Sequence, residues 1–158
     1  MKKQAPIKKF SSSFKLDNGN VLFFIPGNVP GSKNGKTWTG KFLINSKTTT
    51  KYLKESKPFY QKHHKELKEC FKDNKPKILL LHLVRDSKRK WDFDNCCNTI
   101  CDIFVKEGIV EDDNVNYLMP APLPIHNKLW DYNKNNPGVF IIIVNQDDYI
   151  NICANLVI

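Results

Sequence analysis

Short apolar runs alternate along this chain with polar, turn-forming stretches, and the runs are of two kinds. Val21 to Ile25, Ile78 to Val84 and Val139 to Val144 are continuous and rich in aliphatic or aromatic residues, as buried strands are. Pro26-Gly27 stops the first of them. Phe42 to Asn45 reads as the second strand of a hairpin or ribbon. Helical spacing appears twice. Ser46 offers an N-cap for a helix running to about Lys72, in which Tyr52, Leu53, Phe59, Tyr60, His63, Leu67, Cys70 and Phe71 give a broken period and Pro58 predicts a kink or restart. A second helix is predicted from about Asp94 to Glu107. Its Cys97, Ile100, Cys101, Phe104 and Val105 recur at spacings of three and four, and Gly108 stops it.

Beyond Gly108 the pattern predicts a strand over Asp113 to Leu118. The proline-rich MPAPLP then leads to a loop over Asn127 to Pro137. Tyr149, Ile150, Ile152, Cys153, Leu156 and Val157 predict a short terminal helix docked by its apolar side, or a continuation of the sheet. Residues 1 to 20, with Lys2, Lys3, Lys8, Lys9 and Lys15, read as a flexible basic tail. The expected architecture is α/β of the α+β kind, one domain over residues 21–158. A small mixed sheet of about four to five strands packs against two main helices.

Composition changes this picture little, and charge changes it more. A chain of 158 residues with 41% apolar and 26% charged residues has the balance of one folded domain. Its 25 Lys+Arg against 16 Asp+Glu leave +9, which points either to a polyanionic partner such as nucleic acid or to solubility alone. Bilayer spans need about 20 apolar residues, and no run here approaches that, so no membrane partner is expected. The N-terminal lysines precede no apolar core of the secretory kind, so the expected location is cytoplasmic. Five cysteines without a framework spacing are expected to stay thiols. Cys97 and Cys101 share a helix face, but no further ligands accompany them, so they read as packing rather than as a zinc site. Adjacent His63 and His64 point to different helix faces and are not read as metal ligands.

The candidate chemistry lies in Trp91 to Tyr117, where Asp92-Phe93-Asp94-Asn95 opens the second helix and Glu111-Asp112-Asp113 follows it. Asp92 and Asp94 fall on one face if their segment is extended, and a strand returning beside its predecessor would bring the second cluster back toward the first. Hard oxygen donors of this kind suit Mg²⁺, with Mn²⁺ the alternative. With basic residues nearby, the natural substrate is a phosphodiester, hydrolysed by a metal-activated water. The competing reading is structural: Asp94 and Asn95 cap the helix, and Glu111 to Asp113 is a solvated turn. In the glycine-rich loop from Pro26 to Gly40, Lys33, Lys36 and Trp38 combine charge with an aromatic face, suited to holding a phosphate and stacking on a base.

The stretch resembles the RusA family of Holliday-junction resolvases. The resemblance rests on Asp92-Phe93-Asp94-Asn95, Asp102-Ile103-Phe104, Gly108-Ile109-Val110 and Glu111-Asp112-Asp113. Ile25-Pro26-Gly27, Pro30 and Ser32-Lys33-Asn34 support it upstream. It covers about Leu22 to Leu118. It implies that Asp92, Asp94 and Asp113 are catalytic, with Asp112 beside them in a Mg²⁺ site. It further implies a homodimer that places paired nicks in a four-way junction, in a bacterial or phage-infected cell. Lys33, Lys36, Arg89 and Lys90 are the candidate DNA contacts. Where the family often carries a lysine four residues after the second aspartate, this chain has Asn98, and Asn95 follows that aspartate directly. An asparagine brings no charge to a phosphate or to an attacking water, so the alternatives are a branched-DNA-binding protein with weak or lost cleavage, or a less selective metal nuclease.

Overall fold

The computed structural model describes residues 9–33 and 35–154. It is an α+β fold. A six-stranded mixed sheet is joined by a two-stranded ribbon and helices α1 (Lys47–Lys62), α2 (His64–Glu69), α3 (Phe93–Lys106) and α4 (Gln146–Cys153). The main sheet is built from β1 (Ser12–Lys15), β2 (Val21–Pro26), β5 (Lys77–Arg85), β6 (Leu118–Pro122), β7 (Trp130–Tyr132) and β8 (Gly138–Asn145), in the order β1-β2-β8-β5-β6 with β7 also on β5. Strands β3 (Lys36–Trp38) and β4 (Leu43–Asn45) form the ribbon.

β5 is central because its sequence tolerates burial on both faces. Leu79, Leu81 and Leu83 are fully buried in the main core, and Ile78, His82 and Val84 are buried between them. It runs antiparallel to β8, with Leu81 opposite Ile141 and Leu83 opposite Val139, and Phe23 and Ile25 of β2 continue the apolar row. Tyr52 and Tyr60 of α1, Leu67 of α2, and Cys97, Ile100, Cys101 and Phe104 of α3 close over this row. Gly138 is required where β8 passes β2: a Cβ there would lie 2.7 Å from the Ile25 carbonyl oxygen and inside the Phe24 ring. Gly138→Ala should therefore destabilise the fold by about 1–3 kcal/mol in urea denaturation, as overpacking does. A loss below about 0.5 kcal/mol would contradict that close approach.

The structure departs from the sequence pattern in several places. Ser12–Lys15 lies within the stretch read as a flexible tail, yet pairs with β2 through a turn in which the Leu16 amide donates to the Asn20 carbonyl at 2.7 Å. Gly19 supplies the positive φ of 86° that this turn needs. Residues 1 to 8 lie outside the described residues. The strand expected over Asp113 to Leu118 begins only at Leu118 and runs through Pro120 and Pro122. Those prolines fit because β6 turns alternate amides toward β5: Leu123 donates to the Leu81 carbonyl at 2.9 Å, so the intervening even positions need no donor. The expected loop over Asn127 to Pro137 contains β7, parallel to the last residues of β5. The sheet accordingly has more strands than the four to five expected.

Among the helices, Ser46 caps α1 as its sequence implies, accepting from the Thr49 amide at 3.2 Å. The helix runs through Pro58 and breaks at His63. There the buried imidazole bonds the Ser11 hydroxyl at 3.0 Å, a tertiary contact invisible to local pattern. α4 forms, but none of its residues is buried, and Ile150 and Ile152 are exposed. Two residues apart on a helix, those isoleucines point to opposite sides; Leu156 and Val157 of the expected apolar side lie outside the described residues. Among the described residues no helix is long and apolar enough to cross a membrane.

Candidate functional site

Helix α3 links β5 to the parallel strand β6, so its first turn sits beyond the C-terminal end of β5. Asp92, extended at φ −117° and ψ 118°, is the N-cap. Its carboxylate accepts from the Asn95 amide at 3.4 Å and from Asn95 Nδ2 at 2.9 Å. The competing structural reading therefore holds in part, with the capping role on Asp92 rather than on Asp94. Asp94 is exposed in the first turn, and Asn95 is buried.

The glycine-rich loop is tied directly to this turn. The Ser32 amide donates to the Asn95 carbonyl at 2.9 Å, and the Thr99 hydroxyl donates to the Pro30 carbonyl at 2.7 Å. Gly31 permits the approach, since a Cβ there would stand 3.3 Å from that of Asn95. Arg85, at the end of β5, donates to the Val29 carbonyl and lies 5.2 Å from the centre of the Trp91 ring. The result is a cleft of about 350 Å³ whose walls include Ser46, Thr49, Arg85, Lys90, Asp92 and Asn95. The amino ends of α1 and α3 both open onto it. Backbone amides at helix starts, an arginine and a lysine suit a phosphate group, and the Asp92 carboxylate suits a cation beside it.

The second acidic cluster lies elsewhere along α3. After Gly108 the chain doubles back, the Ile109 and Val110 amides donating to the Phe104 carbonyl at 2.9 and 3.3 Å. This return sets Asp113 near Asp102 and Cys101. Partial desolvation, reinforced by the negative charge of Asp113 and opposed by Lys36, raises the Asp102 carboxyl above its ordinary range although the residue is exposed overall. Asp112 is engaged in its own loop: one oxygen accepts from the Asp113 amide at 2.8 Å and the other from Asn114 Nδ2 at 2.6 Å. Asp94, Asn98 and Asp102 are all exposed at four-residue spacing, one outward stripe on α3, and Asp94 and Asp102 are about 12 Å apart along the axis.

The predicted carboxylates thus fall into two groups. Asp92 and Asp94 stand at the start of α3, and Asp113 stands with Asp102 about two turns further on. Among the described residues no three His, Cys, Asp or Glu side chains are grouped to hold a metal ion. The donor chemistry nonetheless fits Mg²⁺, which takes one or two carboxylates and completes its shell with water and substrate phosphate. Of the candidate DNA contacts, Lys90 lines the Asp92 cleft, and Lys36 lines a neighbouring cleft of about 210 Å³ with Asp102 and Thr99. Lys33 and Arg89 are exposed on the loops beside them. The sequence gives Ser46 only as a helix cap and does not single out Arg85 or Thr49; an arginine closing an apolar strand is the one local signal for the former.

The cysteines pack, as their spacing implies. All five are free thiols, and burial pushes the Cys101 thiol up to about 12 and the Cys97 thiol higher still, so both stay protonated and make poor metal ligands. A scan against protein-family models finds no matching family, and a search of curated proteins finds no match.

Proposed function

We propose that this chain is a Mg²⁺-dependent, structure-selective DNA endonuclease of the RusA type, resolving Holliday junctions by paired nicks as a cytoplasmic homodimer. The observation that carries the reading is the placement of Asp92 at the wall of a cleft formed by two helix starts, Arg85 and Lys90. Asp92 and Asp94 would hold the ion, with Asp113 as the third acidic group. When bound, the ion lowers the pKa of a water and stabilises charge on the phosphoryl oxygens. The chain's own residues do the remaining work. Arg85, Lys90 and the helix amides hold the scissile phosphate, and Lys33, Lys36 and Arg89 neutralise flanking phosphates and fix register without reading bases. Choice of a junction over duplex then comes from shape and from the spacing of two sites in a dimer.

A second reading, a branched-DNA-binding protein with weak or lost cleavage, is favoured by two observations. Among the described residues Asp92, Asp94 and Asp113 are not grouped to hold a metal ion, and the outward stripe carries Asn98 where a lysine would add charge. The two readings separate on a labelled four-way junction incubated with Mg²⁺ or with chelator. Opposed nicks that need Mg²⁺ support the endonuclease. Salt-sensitive binding without product supports the second reading. Equal cleavage of junction and linear duplex would mean a less selective nuclease.

A further inference from the structure

We infer that Trp130 and Tyr132 form a stacking platform for unpaired bases of the DNA strand whose phosphates run along Lys88 to Lys90. This rests on the reading of the chain as DNA-binding, though not on cleavage. The platform is built by β7, which leaves the main strand order to pair with only the last three residues of β5, Trp130 opposite Leu83 and Tyr132 opposite Arg85. That short pairing carries two large rings to the same end of β5 as the Asp92 cleft. Alternation along the strand puts both rings on one face and turns Asp131 away, to a salt bridge with Lys128 at 3.4 Å.

The rings are braced from beneath and open outward. Trp130 meets Trp91 edge to face, centroids 5.7 Å apart at 77°, and Trp91 in turn carries Arg85 at 5.2 Å. Lys88 lies 5.3 Å from the centre of the Tyr132 ring. Trp130 and Tyr132 remain 38% and 39% exposed, so part of each ring is open to a ligand. Two residues along a strand span about 6.8 Å, twice the roughly 3.4 Å step between stacked bases, so a base has room between the rings. Cations beside exposed aromatic rings match a polyanion whose bases are free to stack, and a fully paired duplex offers no such base away from its ends. An opened branch point leaves the terminal base pairs of its arms without a stacking neighbour.

The test is binding by the full chain in chelator, which removes cleavage. The probes are a labelled single-stranded oligodeoxynucleotide and a strand of equal length with abasic residues, hence equal phosphates. The normal strand should bind about tenfold more tightly, and Trp130→Ala should abolish that preference while the abasic strand binds as before. Should Trp130→Ala lose its far-ultraviolet circular dichroism, Tyr132→Ala, at the other ring of the same face, gives the same readout. Equal binding of the two strands by the wild type, or a full preference retained by the folded variant, overturns the platform. A junction left uncut in Mg²⁺ with the preference intact would sink the endonuclease alone.

Discussion

Asp92→Asn is expected to lower Mg²⁺-dependent nicking on the order of 10²–10³-fold while leaving the fold intact. The two effects separate because Asp92 has two tasks. As N-cap it accepts from the Asn95 amide, and asparagine caps a helix about as well as aspartate, so thermal unfolding should shift little. As a metal-holding carboxylate it supplies a charge that asparagine lacks. A variant that melts like the wild type and fails to nick isolates the chemical role; one that nicks at the wild-type rate confines Asp92 to capping. Asp113→Asn should also impair nicking, with a different signature in stability. The Asp102 carboxyl has a raised pKa in the fold, so its ionised form is disfavoured there, and that penalty is present above its folded pKa and relieved as pH falls through it. Removing the Asp113 charge lessens the penalty. The variant should be slightly more stable than the wild type at neutral pH, and the gain should fade in acid.

Phe104→Ala should cost about 3–5 kcal/mol in urea unfolding, the largest loss expected from any single change considered. The ring is fully buried between Tyr60 and Phe71, with centroids 6.2 and 6.4 Å away in edge-on contact. Its backbone carbonyl receives the two amides that turn the chain back along α3. Since domains of this size are stable by about 5–15 kcal/mol, that loss approaches unfolding for a protein at the low end. The helix end would loosen with it, and Asp113 would lose its fixed place. A cost under about 1 kcal/mol would mean that the core relaxes around the gap and that Phe104 does not anchor the return.

Elements with a strong local signature were legible in the sequence. The continuous apolar runs give β2, β5 and β8, and the three-and-four spacing from Cys97 to Val105 gives α3 nearly to its ends. Ser46 marks the start of α1 because a capping hydroxyl acts within its own turn. What was missed depends on partners distant in the chain. β1 is held by pairing with β2, β6 tolerates prolines only because it is an edge, and the break at His63 answers to Ser11. The site divides in the same way. The sequence placed Asp92 and Asp94 at the head of a helix, where they stand. The expectation for Asp113 is a return along the sheet; the loop after Gly108 folds back on the end of α3 and sets Asp113 near Asp102, a neighbour that spacing alone does not give. Arg85 enters the cleft only through β5 and its bond to Val29, which no spacing rule encodes.

The decisive measurement is single-turnover nicking of a labelled four-way junction, with wild type in Mg²⁺, wild type in chelator, and Asp92→Asn in Mg²⁺ run side by side. A Mg²⁺-dependent junction endonuclease using Asp92 gives opposed nicks in the first reaction and almost none in the other two. No nicking by the wild type at any Mg²⁺ concentration, or equal nicking by Asp92→Asn, would contradict it.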